Sequence, residues 1–172
     1  MSGNLQLLSD ADCRWLHDHP WLAGVEIYRE IDSTNQRALA CDPSISLPHL
    51  IIAETQTAGR GRGANRWHSQ DGCLMFSLRL DGASIGLPRS QLGILSLAAG
   101  LAIREALFGF ALPEVLQLKW PNDVYLAGRK VCGILLEMAD TTSKPVVVIG
   151  VGVNVHNSFC LLYTSPSPRD CN

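Results

Sequence analysis

Apolar and polar positions alternate through Val25-Glu-Ile-Tyr-Arg-Glu-Ile, the period-two pattern of a strand with one buried face. The same period returns in Leu74-Met-Phe-Ser-Leu-Arg-Leu and, more briefly, in Leu116-Gln-Leu-Lys-Trp, which stops at Pro121. Leu50-Ile-Ile-Ala and Val146-Val-Val-Ile-Gly-Val-Gly-Val-Asn-Val are continuous apolar runs and predict buried strands. The two glycines of the second run mark a close approach of another group to its backbone. Val124-Tyr-Leu and Val131-Cys-Gly-Ile-Leu-Leu-Glu-Met flank a turn at Ala127-Gly128-Arg129 and predict a hairpin. A spacing of three and four joins Leu92, Leu95, Ala99, Ala102, Ile103 and Ala106, so residues 88–107 predict the longest amphipathic helix. Two shorter helices carry start signals. Ser9-Asp-Ala-Asp opens one that ends before Pro20, and the Ser33-Thr-Asn-Gln capping box opens one running to Ala40.

Strands outnumber helices and several are joined by short turns, so the predicted class is α+β with a mixed or antiparallel sheet flanked by helices. A regular strand–helix alternation, as in a doubly wound fold, is missing. From Cys160 onward the chain turns Ser/Pro-rich and aperiodic. We read residues 160–172 as a non-native or disordered tail and residues 1–159 as one domain.

Composition narrows the function. The 172 residues are 47% hydrophobic with a formal net charge of −2, which excludes global disorder and argues against a protein that coats nucleic acid or an anionic membrane. No apolar run reaches the ~20 residues of a spanning helix, and the N-terminus lacks a signal-peptide pattern, so a cytoplasmic protein is expected. None of the six cysteines forms a C-x-x-C pair, which predicts free, mostly buried thiols and no metal centre.

Three segments carry candidate chemistry. Gly59-Arg-Gly-Arg-Gly-Ala-Asn-Arg-Trp lies between two strands, with three arginines, no acid, and glycines that permit sharp bends. Free N–H groups and guanidinium forks there form an anion cradle, with Trp67 offering a flat face. The alternative is a basic RNA-binding loop. Lys119-Trp-Pro-Asn-Asp ends a strand with a mobile cation, or with an ordinary surface lysine. Ser33-Thr-Asn-Gln is a helix cap whose Thr34 and Asn35 are also able to meet a polar ligand, and Asn154 either ends its strand or contacts a ligand. Signatures of covalent Ser or Cys catalysis and of the H-E-x-x-H zinc site are absent. Chemistry must then come from charge and positioning.

Taken in order, Asp32-Ser-Thr-Asn-Gln, Ala53-Glu-Thr-Gln-Thr-Ala-Gly-Arg-Gly-Arg, Trp67, Lys119-Trp-Pro-Asn-Asp, Arg129-Lys-Val-Cys-Gly-Ile-Leu-Leu-Glu and Gly150-Val-Gly-Val-Asn resemble the catalytic domain of biotin protein ligases (biotin–[acetyl-CoA-carboxylase] ligases). The resemblance spans most of residues 25–155. It implies an α+β fold related to class II aminoacyl-tRNA synthetase cores, biotin and ATP as substrates with Mg²⁺, and transfer of biotin to a lysine of a biotin carboxyl carrier protein. By motif, it implies that Ser33, Thr34, Asn35 and Gln56 hold the biotin head and that Gly61 lines the pocket. Arg60 and Arg62 would hold carboxylate and phosphates, and Lys119 would face the reacting carboxylate and α-phosphate. Arg62, Trp67, Lys119 and Asn154 would meet the nucleotide. Lipoate ligases and octanoyltransferases share the fold and stay as an alternative, as does a non-catalytic biotin- or adenylate-binding fragment. Too few residues precede Asp32 for the family's helix-turn-helix, so no DNA binding is expected. The homologous domain continues beyond the Gly-Val-Asn strand, so this one is expected to be incomplete at its C-terminal end. A homodimer is left open.

Overall fold

The computed structural model describes residues 8–69, 72–91, 93–110, 116–140 and 145–155. The predicted tail, 160–172, lies outside them, as do Leu92 and residues 156–159. The strands are β1 (Gly24–Ile31), β2 (His49–Gln56), β3 (Cys73–Asp81), β4 (Leu116–Lys119), β5 (Asp123–Leu126), β6 (Arg129–Asp140) and β7 (Pro145–Asn154). The helices are α1 (Asp10–His17), α2 (Thr34–Ala40), a single turn α3 (Gly82–Ile85) and α4 (Gly93–Leu107). All seven strands form one sheet in the order β1-β2-β3-β7-β6-β5-β4. β1 and β2 are parallel and every other pair is antiparallel, so the sheet is mixed, as the strand-rich sequence predicts.

Local chemistry explains the elements. Ser9 accepts from the Asp12 amide while Asp12 accepts from the Ser9 amide, a reciprocal cap that starts α1. The Ser33 side chain accepts from the Gln36 amide and starts α2. The β5–β6 turn places Ala127 and Gly128 at φ 49° and 77°, the double positive φ that matches a two-residue turn to the twist of a hairpin. At the other end of α2, the guanidinium of the buried Arg79 donates to the carbonyls of Asp42 and Cys41, so a strand cation closes the helix C-terminus.

The two faces of the sheet bury different things. On one, Ala99, Ile103, Leu107 and Phe108 pack onto a cluster of Leu116, Val124, Val131, Cys132, Ile134, Val151 and Val153. On the other, α2 covers Ile51, Val146 and Val148 through Ala38 and Cys41. The predicted stripe on the long helix needs correction. Ala102 and Ala106 are exposed, as are Ile94, Leu97 and Leu101, so the helix is apolar nearly all round and buries only the face centred on Ala99, Gly100 and Ile103. Its first predicted turn is instead a short 3-10 segment, Arg89–Gln91. The four described cysteines match the expectation of free, mostly buried thiols. Cys41, Cys73 and Cys132 are buried and Cys13 is half-buried, all free, and burial pushes the Cys132 thiol up to about 12.

One polar cluster fastens β1, β2 and α2. Glu26 accepts from Arg37 Nε at 2.7 Å and Nη2 at 2.9 Å, from Tyr28, and lies 3.1 Å from His49 Nε2. Burial opposes ionisation, but the hydrogen bonds from Arg37, Tyr28 and His49 outweigh it and hold the carboxyl below its ordinary value of 4.5. A carboxylate depressed by folding adds stability above that ordinary value and loses it as pH falls through the depressed one. Glu26→Gln is therefore expected to lower stability at pH 7 and to flatten its decline below about pH 4.5. Urea midpoints measured from pH 3 to pH 7 check this; parallel curves for the two proteins would refute it.

Candidate active site

Cross-strand register builds the site floor. Tyr28, Ala53, Met75, Gly152, Gly133, Asp123 and Lys119 are successive partners across all seven strands, so their side chains share one face. A second row runs Ile51, Ser77, Gly150, Leu135. Where the rows cross β6 and β7 they present Gly133, Gly150 and Gly152, which leaves bare backbone. Two side chains fill that space. A Cβ on Gly150 would stand 2.0 Å from Asn35 Oδ1, and one on Gly152 would stand 2.4 Å from the Trp67 ring. The close approach predicted from the β7 glycines is thus made by the chain's own Asn35 and Trp67.

The start of α2 delivers the polar group beside this floor. Ser33, Thr34 and Asn35 are all buried. Gln56, at the end of β2, accepts from the Thr34 amide at 2.7 Å and lies 3.2 Å from its hydroxyl. The Ser77 hydroxyl bridges Thr34 Oγ1 at 2.8 Å and Asn35 Oδ1 at 2.6 Å. Asn35 Nδ2 donates to the Leu135 carbonyl at 3.2 Å and to Glu137 at 2.9 Å. Ser33 is occupied as the helix cap. These groups satisfy one another, as buried polar groups must, so a ligand head would have to exchange for some of these bonds.

The basic loop folds back on itself. Arg60 and Arg66 form an isolated antiparallel bridge, Gly61 N donates to Asn65 O, and Trp67 N donates to Gly59 O. A Cβ on Gly59 would fall 2.5 Å from the Trp67 carbonyl, which explains glycine there. This small hairpin lies over the sheet. Arg60 reaches Glu137 on β6 at 2.8 Å, and Arg62 donates to the Asn122 side chain at 3.3 Å. Asn122 in turn donates to the Ile134 carbonyl at 2.7 Å, tying the Lys119–Asp123 turn to β6. A cavity of about 180 Å³ opens between Gln56–Gly59 and Arg66–Ser69.

The structure brings together Thr34, Asn35, Gln56 and Arg60, and links Arg62 to the turn that carries Lys119. Lys119 stands on the same sheet face but at its outer edge, exposed, with its ammonium 5.4 Å from the Tyr125 ring centroid. Asn154 lies beyond the floor on β7 and accepts from the Cys73 thiol at 3.3 Å. Two residues escaped the sequence reading. Lys130 pairs with Asp123 at 2.7 Å, and its side chain lies over Gly133 next to the Trp67 ring, nearer the floor than the sheet edge where Lys119 stands. Glu137 is the second. Its signal was available, since it is the lone acid in an otherwise apolar strand segment.

Among the described residues one group, Glu26, Cys41 and His49, has metal-ligand spacing. Both oxygens of Glu26 are already bound by the Arg37 guanidinium, so that cluster is an ion-paired fastening rather than a cation cage.

A glycine floor, a buried hydroxyl–amide group and a clasp of guanidinium groups thus gather on one face of a mixed α+β sheet, an arrangement with the chemistry to meet a polar head and an anionic end. The chain belongs to the biotin/lipoate A/B protein ligase family, whose model matches residues 27–154. It is 36% identical over 152 residues to the bifunctional ligase/repressor BirA of Salmonella typhimurium, covering 88% of this chain and 46% of that protein. It is 40% identical over 126 residues to the biotin–[acetyl-CoA-carboxylase] ligase of Paracoccus denitrificans, covering 72% and 51%. The biotin protein ligase of Aquifex aeolicus, solved with biotin and ATP, superposes with a TM-score of 0.66 at 34% identity over 78% of this chain and 53% of that one. The chain therefore spans about half the length of the relatives it matches.

Proposed function

We propose that this chain carries the biotin-activating part of a biotin protein ligase. The observation that supports it most is the convergence of Thr34, Asn35 and Gln56 with Arg60 beside the glycine floor. A urea-like head has donors and acceptors to exchange with that amide–hydroxyl group, and a carboxylate tail has guanidinium groups to meet it. The named ligases among its relatives and the biotin–ATP complex of the Aquifex enzyme point the same way.

In the proposed reaction the biotin carboxylate oxygen attacks the α-phosphorus of ATP, pyrophosphate leaves, and biotinyl-5′-adenylate forms. A lysine amine of a biotin carboxyl carrier protein then attacks the acyl carbon, and AMP leaves. The first step brings two anions together, so cations preset at their meeting point lower the barrier. Arg60, Arg62, Lys119 and Lys130 are those cations, with Lys130 over the floor and Lys119 at its rim. Trp67 exchanges its seat on Gly133 and Gly152 for packing on the adenine, and Asn154 meets the nucleotide. The nearby carboxylates, Asp123 and Glu137, are each paired with a cation. The described residues thus offer Mg²⁺ no ready cage, and the ion would come with the triphosphate oxygens.

Calorimetry with biotin, followed by biotin-dependent exchange of labelled pyrophosphate into ATP, tests this reading. Biotin binding that lipoate does not compete away is expected, together with exchange. Failure of the chain to bind biotin would refute it, and preferential binding of lipoate would move the chain to the other branch of the family.

A further inference from the structure

Glu137 joins two parts of the site that belong to different elements. Its carboxylate sits on β6 with only 18% of its side chain exposed. One oxygen accepts from the amide of Asn35, which is itself buried and fixed by Ser77 and the Leu135 carbonyl. The other holds the Arg60 guanidinium at 2.8 Å. A continuous polar chain therefore runs from Ser77 at the sheet core through Asn35 and Glu137 to the basic hairpin. This ion pair ties Arg60 to the sheet, while 44% of the Arg60 side chain remains exposed and accessible to an incoming anion.

We propose that Glu137 is a positioning residue: its carboxylate sets the Arg60 guanidinium at a fixed place relative to the Asn35 amide, so that the hairpin presents its charge to a ligand already seated at α2. This rests on the reading of the site as a biotin pocket. A guanidinium oriented by a fixed carboxylate keeps free N–H groups for a second anion and loses less rotamer freedom when that anion binds. The pairing also offsets the cost of a half-buried acid facing a buried amide.

Glu137→Gln is the informative change, because glutamine keeps an oxygen for Asn35 while losing the charge that holds Arg60. Two measurements on the full chain test it. Without ligand, hydrogen exchange of the Gly59–Trp67 amides is expected to speed up in Glu137→Gln while the β3 and β7 amides stay protected. With ligand, a double-mutant cycle against Arg60→Gln is expected to be non-additive. Glu137→Gln weakens biotin binding about tenfold in the native background and has almost no effect once Arg60 is gone. Unchanged hairpin exchange, or equal losses in both backgrounds, would overturn the proposal. An unmutated chain that does not bind biotin would sink the functional reading instead, and the exchange measurement would still decide whether Glu137 holds the hairpin.

Discussion

Lys130→Ala is expected to slow adenylate formation by about 10²–10³-fold, the usual loss when one preset donor is removed from developing charge. Lys119→Ala is expected to slow it by about tenfold, because a solvated cation at a rim is worth less than one in a half-buried site. The ordering follows from position. Lys130 lies over Gly133 and beside Trp67, whereas Lys119 is exposed at the outermost strand. Both variants should bind biotin within a few-fold of the unmodified chain, since Lys130 pairs with Asp123 and Lys119 stands on the outermost strand. Pyrophosphate exchange and calorimetry on the same preparations check this. Equal losses in the two variants, or losses confined to binding, would show that the two lysines do not divide the work in this way.

Gly150→Ala is expected to cost the fold about 4 kcal/mol, combining overpacking with the exposure of unpaired buried polar groups. The added methyl would collide with Asn35 Oδ1, Cγ and Nδ2. Asn35 cannot retreat without giving up its bonds to Ser77, Glu137 and the Leu135 carbonyl. Gly133→Ala meets only the flexible end of Lys130 and one edge of Trp67, and should cost about 1 kcal/mol. Gly109→Ala, with open space around it, serves as the neutral control. Denaturant midpoints rank the three. A Gly150→Ala midpoint equal to that of Gly109→Ala would mean that Asn35 is not seated against β7.

Much of this architecture was legible in the sequence because its elements carry their own signals. Alternation marked β1 and β3, the Ser33–Gln36 box marked α2, and Ala127-Gly128 marked the hairpin. The paired glycines of β7 announced a close approach, although not which groups make it. Periodicity served only in part at α4, where Ala99 and Ile103 of the three-four stripe do pack on the sheet but Ala102 and Ala106 are exposed. The helix is apolar on nearly all sides, and packing against β4–β6, not periodicity, selects the buried stripe. Part of the site was hidden because its order is spatial. Lys130 follows a turn and reads as a surface cation until its strand is paired. Glu137 gains its meaning from Asn35, 102 positions away in the chain. Arg79 looked like an outward residue of an alternating strand, yet it is buried because a helix terminus needs a cation there.

The sheet order has a further consequence for biosynthesis. Of the seven described strands, the last in chain order, β7, is the one that lies between β3 and β6 in the sheet. Until it emerges, the nascent polypeptide holds two separate half-sheets, each with an open inner edge and an unpaired ladder of amides and carbonyls. Chaperone dependence during translation should therefore peak just before β7 is made and drop once it closes the gap. A stalled chain ending near Pro145 would be the species most prone to associate with itself.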